Sequence, residues 1–191
     1  MTPLDPERTA LLLLDLQPSI LARYPADAVL PNALALRDAA RAAGALVGYV
    51  HVAFTPEEAA AVPPTNATFA GVAERMAGAV PGTTEVDPRL GVAAGEPVFR
   101  KIRIGAFSTT DLHDSLRDRG IDTLVLAGIS TSGVVLSTVR DAADKDYRLV
   151  VVADACSDLD AEVHRVLTEK VFPRQAEVVS TAEAVAELGR G

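Results

Sequence analysis

Residues 122–158, DTLVLAGISTSGVVLSTVRDAADKDYRLVVVADACSD, read as a strand, a turn of small residues, a helix and a second strand, which is one βαβ unit. Thr123 to Ala127 is a short, continuous apolar run with branched residues, the pattern of a parallel strand covered on both faces. Gly128 punctuates it. Ser130, Thr131 and Ser132 then crowd the turn, where side-chain oxygens can accept from the free N–H groups of a helix start. Such a helix start can stabilise a carboxylate or a developing oxyanion, although many bind only water. Tyr147 to Ala153 repeats the buried-strand pattern, with Asp154 and Cys156 just beyond it.

Working outward, Thr9 to Leu14 is another unbroken apolar run and predicts a central strand, with Asp15 at its carboxyl end and Gln17 and Pro18 following. Open parallel sheets bind ligands beyond the carboxyl ends of their strands, so Asp15 is placed for chemistry; the alternative is a carboxylate that caps the next turn. Helical spacing and a closing glycine predict a helix over 27–44, followed by a strand over 45–54 with His51 near its end. Residues 55–97 are rich in Pro, Gly, Ala and Thr, with one helix expected near Phe69 to Ala79. Such a stretch is either a specificity and subunit-contact region or a surface excursion. Further elements are a strand over 97–101 ending on Lys101, a helix over 109–120 capped by Thr109 or Thr110, a helix over 161–171, a strand over 176–180 and a helix over 181–188. Alternating strands and helices predict a single-domain α/β chain over 1–191, three layers deep, with a six-stranded, mostly parallel, doubly wound sheet.

Composition narrows the function. A chain of 191 residues, 49% hydrophobic, can bury one sizeable core. Its net charge of −8 argues against a nucleic-acid partner. The single cysteine rules out an intrachain disulfide and suits a reducing compartment. The N-terminus lacks the basic flank of a signal peptide and no run approaches a membrane span, so a cytoplasmic protein without a membrane partner is expected.

LVLAGISTSGVVLSTVRDA, residues 124–142, resembles the isochorismatase-like hydrolases, also called the cysteine hydrolase superfamily. The LLLLDLQ opening and KIRIGAFSTTDL from Lys101 extend the resemblance over nearly the whole chain. It implies the same α/β fold, a catalytic aspartate at Asp15, a catalytic lysine at Lys101 and a cis peptide between Ile129 and Ser130. In the amidase branch the turn reads G-x-x-T-x-x-C-V, which puts Gly128 and Thr131 on the glycine and threonine, and Val134 where the nucleophilic cysteine stands. The backbone of Ile129, Ser130 and Val134 would form the oxyanion turn, with Gln17, Phe107 and Thr131 around the pocket. The Asp-x-His metal motif of the nicotinamidase branch is missing around His51, so neither a metal nor another cofactor is expected.

A valine supplies no nucleophile. Ser130 or Ser132 would place a hydroxyl elsewhere on the turn, and Cys156 would come from the neighbouring strand. The family also contains isochorismatases that lack the cysteine and use the aspartate as a general acid on a vinyl ether. The resemblance therefore implies either a cysteine-independent hydrolase of a small metabolite using Asp15 and Lys101, or a non-catalytic member that binds a small molecule or serves in assembly. A homodimer or homotetramer is expected from the resemblance in both cases.

Overall fold

A computed structural model describes residues 2–190. Six strands form one sheet: β1 (Thr9–Leu14), β2 (Leu46–Val52), β3 (Val98–Lys101), β4 (Thr123–Ile129), β5 (Arg148–Ser157) and β6 (Glu177–Val179). The helices are α1 (Pro18–Leu21), α2 (Val29–Ala43), α3 (Pro56–Ala60), α4 (Ala67–Ala77), α5 (Leu112–Arg117), α6 (Leu136–Ala143), α7 (Ala161–Val166) and α8 (Thr181–Leu188). Strand order is β3-β2-β1-β4-β5-β6 and every pairing is parallel, so the sheet is wholly parallel rather than mostly so.

The unbroken apolar runs have a direct cause. Along β1, Ala10, Leu12 and Leu14 feed one core while Leu11 and Leu13 feed the other. On β4, Leu124 and Leu126 pack on the first side and Val125, Ala127 and Ile129 on the second. Leu112 and Leu116 of α5 and Val139 and Ala142 of α6 cover the first face. The second is covered by Leu30, Ala33, Leu36 and Ala40 of α2 with Ala184 and Leu188 of α8. Fully buried Ala33 and Ala40 let α2 approach the sheet closely, and Gly44 ends that helix at a φ of 78°.

Strand order reverses between β1 and β4, and the two carboxyl ends separate there into a crevice. Gly128 holds them together just before it. It pairs with Leu14 at a φ of 148°, and a Cβ there would lie 2.1 Å from the Leu14 carbonyl oxygen. Only glycine permits that approach.

Among the boundaries that differ from the sequence reading, two have a direct structural cause. β5 continues to Ser157, because its register against β4 slips: Leu126 faces Val151, but Gly128 faces Cys156. Asp154 is turned outward within this irregular stretch, where its carboxylate accepts from the backbone N–H and hydroxyl of Thr181 at 2.7 Å each. Alternation ends at the bulge, so the second half of the strand has no pattern to read. Likewise α5 starts at Leu112 with Asp111 at its N-cap position. Thr109 instead accepts from the Ile102 N–H at 3.0 Å, while the Thr110 hydroxyl donates to the Ala106 carbonyl at 2.6 Å and accepts from the Leu112 N–H at 3.3 Å, so Thr110 joins the preceding loop to the helix start.

Candidate active site

The crevice at the reversal opens into a cavity of about 310 Å³. Asp15, Lys101, Ile129, Ser130 and Val134 all line it. Asp15 follows β1 with its backbone at a φ of 54°, and its N–H donates to the Val50 carbonyl at 2.8 Å. Lys101 ends β3, two strands away. Its long stem crosses the end of β2, and Nζ donates to Asp15 Oδ2 at 2.8 Å and to the Arg103 carbonyl at 3.1 Å. Both side chains are buried, at 7% and 2% exposure, so the pair is held almost entirely out of water.

The two carboxyl oxygens of Asp15 differ. Oδ2 carries the lysine contact, whereas Oδ1 is buried with no protein partner. Burial pushes the Asp15 carboxyl above its ordinary value, and the opposing pull of Lys101 is the smaller influence. A proton on Oδ1 would leave Oδ2 accepting from the ammonium and turn Oδ1 into a donor free to reach a ligand in the cavity.

The turn after β4 begins with a cis peptide between Ile129 and Ser130. Residues Thr131–Val135 then form a π-type turn before α6, in place of a helix capped by serine: the Ser130 side chain makes no capping bond. The turn is braced from behind. Thr131 Oγ1 lies 2.8 Å from His164 Nδ1, and the Ser132 N–H donates to Asp158 Oδ2 at 2.7 Å. The N–H groups of Gly133 and Val135 donate to the Ser130 carbonyl, so these two and that of Ser132 are already engaged. Val134, 3% exposed, contributes an apolar wall to the cavity.

Three residues expected around the pocket lie elsewhere. Gln17 is fully buried and clamps the ends of two segments, accepting from the Val52 N–H and donating to the Val52 and Thr84 carbonyls. Phe107 packs in the core on the α5 and α6 side, its ring stacked on Tyr147 at 5.9 Å. Thr131 points into the brace with His164. In each case the side chain satisfies a neighbour behind the cavity instead of facing it.

The substitute nucleophiles fare no better. Cys156 is buried in the core, and burial pushes its thiol up to about 12. Ser132 is exposed and outside the cavity lining. Ser130 does line it, but its Oγ lies only 2.5 Å from where a Cβ on Gly133 would sit, folded over its own turn. His51 Nδ1 donates to the Thr84 carbonyl at 2.8 Å. Among the described residues no cluster of three or more His, Cys, Asp or Glu side chains comes together, and no helix is long and apolar enough to cross a membrane.

The remaining walls were not visible in the sequence. Ser19, Ile20, Arg23 and Tyr24 come from α1 and the residues after it; Phe69, Val72, Arg75 and Met76 come from α4. The 55–97 stretch thus contributes one wall, and Phe69 and Ala73 also pack on Val52 and Val62 in a small core of their own. The 3–4 residue spacing of Phe69, Val72, Ala73 and Met76 was the available clue, but it announces a helix and not which side of it meets a cavity. Arg100 is exposed and pairs with Glu58, and Arg103 lies over the Phe69 ring at 5.8 Å. Neither lines the cavity.

A doubly wound α/β domain with a buried carboxylate–ammonium pair at its switch point defines a class of small-molecule enzyme folds. The comparisons with known proteins make this particular. The isochorismatase domain model matches residues 9–183. The isochorismatase family protein YwoC of Bacillus subtilis (strain 168) is 35% identical over 185 residues, 97% of this chain and 96% of that one. YecD of Escherichia coli O157:H7, of the same family, is 37% identical over 194 residues, 98% of this chain and all of the relative (100%). Among solved structures, an isochorismatase family protein of Burkholderia thailandensis superposes with a TM-score of 0.84 at 31% identity, over 97% of this chain and 98% of that chain. The chain belongs to the isochorismatase family.

Proposed function

We propose that this protein is a cysteine-independent hydrolase of a small metabolite, cleaving a vinyl-ether or related bond with Asp15 as general acid. The observation that carries the reading is the state of Asp15: a buried carboxyl raised above its ordinary range, one oxygen on Lys101 and the other unpartnered, in the wall of a cavity. A carboxyl raised above its ordinary range keeps its proton to higher pH, and that favours proton donation to carbon.

Asp15 Oδ1–H transfers its proton to the terminal carbon of an enol ether C=C–O, leaving an oxocarbenium ion. Water adds to the cationic carbon, and its lost proton returns to the Asp15 carboxylate. The hemiketal formed collapses to a carbonyl compound and an alcohol. Lys101 holds Oδ2 in place throughout and stabilises the carboxylate while the proton is away. Val134 lines the same cavity as Asp15 and offers an apolar wall with no group that would favour the ionised acid.

The test is turnover of a panel, isochorismate beside nicotinamide and simple amides, followed by mass spectrometry. Wild type should hydrolyse the vinyl ether and leave the amides intact. Folded Asp15→Asn should be slower by about 100-fold or more, the usual contribution of a general acid. Val134→Cys is the companion variant. If the remaining machinery is that of the family, it should gain slow amide hydrolysis with a covalent acyl adduct on Cys in the mass spectrum. Vinyl-ether turnover that survives Asp15→Asn would sink the proposal.

A further inference from the structure

We propose that His164 is a positioning residue for the turn over 130–135, holding it from behind through Thr131 while its ring is neutral and releasing it in acid. The inference rests on reading the cavity beside that turn as the reactive one. Of the three histidines, His51 bonds the Thr84 carbonyl and His113 the Tyr147 hydroxyl, whereas His164 meets the turn, its Nδ1 2.8 Å from Thr131 Oγ1. Ser130, Gly133 and Val134 of the turn line the cavity and His164 does not, so the ring acts on the cavity through the turn.

The chemistry of that contact sets its dependence on protons. Thr131 is fully buried, and among the described residues its hydroxyl has no partner besides His164. With a neutral ring, Nδ1 accepts the hydroxyl proton. A protonated ring carries N–H at both nitrogens, so Nδ1 becomes a donor and the hydroxyl hydrogen loses its acceptor inside the fold. Burial favours the neutral ring and holds His164 below the ordinary histidine value, against the smaller, opposite pull of Asp158. Asp158 is itself committed to the turn: Oδ2 accepts from the Ser132 N–H at 2.7 Å, and Oδ1 from the Leu159 N–H at 2.9 Å. An imidazolium would compete for that carboxylate, so one proton disturbs both contacts behind the turn. The other charges nearby are spent or solvated. The turn carries no ionisable side chain, Glu162 of α7 and Glu169 beyond it both pair with Arg165, Asp160 caps α7, and Lys170 is exposed.

NMR of the backbone amides and histidine rings through a pH titration reads the turn without requiring turnover. In wild type the amide signals of Ser132, Gly133 and Val134 should shift with one midpoint, below the ordinary 6.5 of histidine, and the His164 ring should share it. His164→Asn puts an oxygen where Nδ1 stood and does not ionise there, so the amides should stay near their neutral-pH positions and the transition should vanish. His164→Leu offers no acceptor, and the amides should be displaced at every pH. Asp158→Asn should lower the His164 midpoint, because its carboxylate is the charge that favours the cation. In turnover, Asp15 as general acid sets only the alkaline limb of the profile. Wild-type kcat/KM should nevertheless fall in acid, by up to about ten-fold per pH unit below the His164 midpoint, and His164→Asn should lack that limb. His164→Leu should be slower by about ten-fold or more throughout, the cost of a misplaced turn. Amides that keep their transition in His164→Asn overturn the proposal, as does a His164 ring that titrates without moving them. A transition that vanishes in His164→Asn, with no turnover of the panel, refutes the proposed reaction alone; turnover with unmoved amides refutes the positioning role alone.

Discussion

Replacing Lys101 by methionine removes the ammonium that contacts the Asp15 carboxyl. The thioether keeps most of the buried stem and removes the charge, leaving Asp15 at 7% side-chain exposure with nothing to pair against. Breaking a buried ion pair by deleting one member costs ~3–5 kcal/mol when the survivor must stay charged. Here the survivor has an alternative, because a carboxyl already raised by burial can take up a proton. The penalty should therefore depend on pH. A folded-state value above the unfolded 3.8 means that the folded protein holds a proton the unfolded chain releases. Stability then falls as pH rises from the unfolded value through the folded one, at up to ~1.4 kcal/mol per pH unit, and is level above it.

Wild type and Lys101→Met both follow this course, but removing the ammonium lifts the folded-state value further, so the variant continues to lose stability after wild type has levelled off. The gap between them should widen over the pH interval between the two folded-state values and stay constant outside it. Urea unfolding at pH 5, 6.5 and 8 measures it, and Asp15→Asn/Lys101→Met, with no acid left, should show a gap that no longer widens. A Lys101→Met penalty that keeps the same size at every pH at which both proteins fold would refute the reasoning, because it would mean that the ammonium does not shift the titration of Asp15.

Gly128→Ala forces a Cβ to within 2.1 Å of the Leu14 carbonyl, a backbone atom that cannot swing aside. The loss should exceed ~3 kcal/mol, seen as a lowered urea midpoint or as insoluble protein, and a variant with the wild-type midpoint would count against the close approach of β1 and β4. For Cys156, raised by burial from 9.0 to about 12, native protein at pH 8 should react with iodoacetamide slower than urea-unfolded protein by roughly a hundred-fold or more. Cys156→Ser should turn over substrate like wild type; lost activity in a folded protein would reinstate the thiol as a participant.

How much of this could be read beforehand follows from where each residue's constraint lies. β1 and β4 were legible because each packs against both cores, which demands an unbroken apolar run and leaves little else the sequence could mean. The second half of β5 was not, since a register slip removes the alternation on which such readings depend. Lys101 illustrates the limit for the site. A lysine after a four-residue strand looks solvated, and nothing local says that its stem crosses the end of β2 to reach a carboxylate 86 positions away. The resemblance supplied that pairing, and equally supplied Gln17, Phe107 and Thr131, which the fold uses behind the cavity. The cavity's outer wall had no such help, because α4 divides its apolar residues between a small core and the pocket, and periodicity cannot tell the two apart.

Position 134 is the reverse case, a single letter with a large physical consequence. A thiol there would need Asp15 ionised, as the base that activates it. A valine there, 3% exposed on the cavity wall, adds apolar surface to the cavity that also holds a carboxyl raised by burial. In the reaction we propose, the aspartate and lysine keep their places and the aspartate gives up a proton first instead of taking one. On that proposal the substitution changes which chemistry the pair performs, and the Asp15→Asn and Val134→Cys variants decide between this and a lost activity.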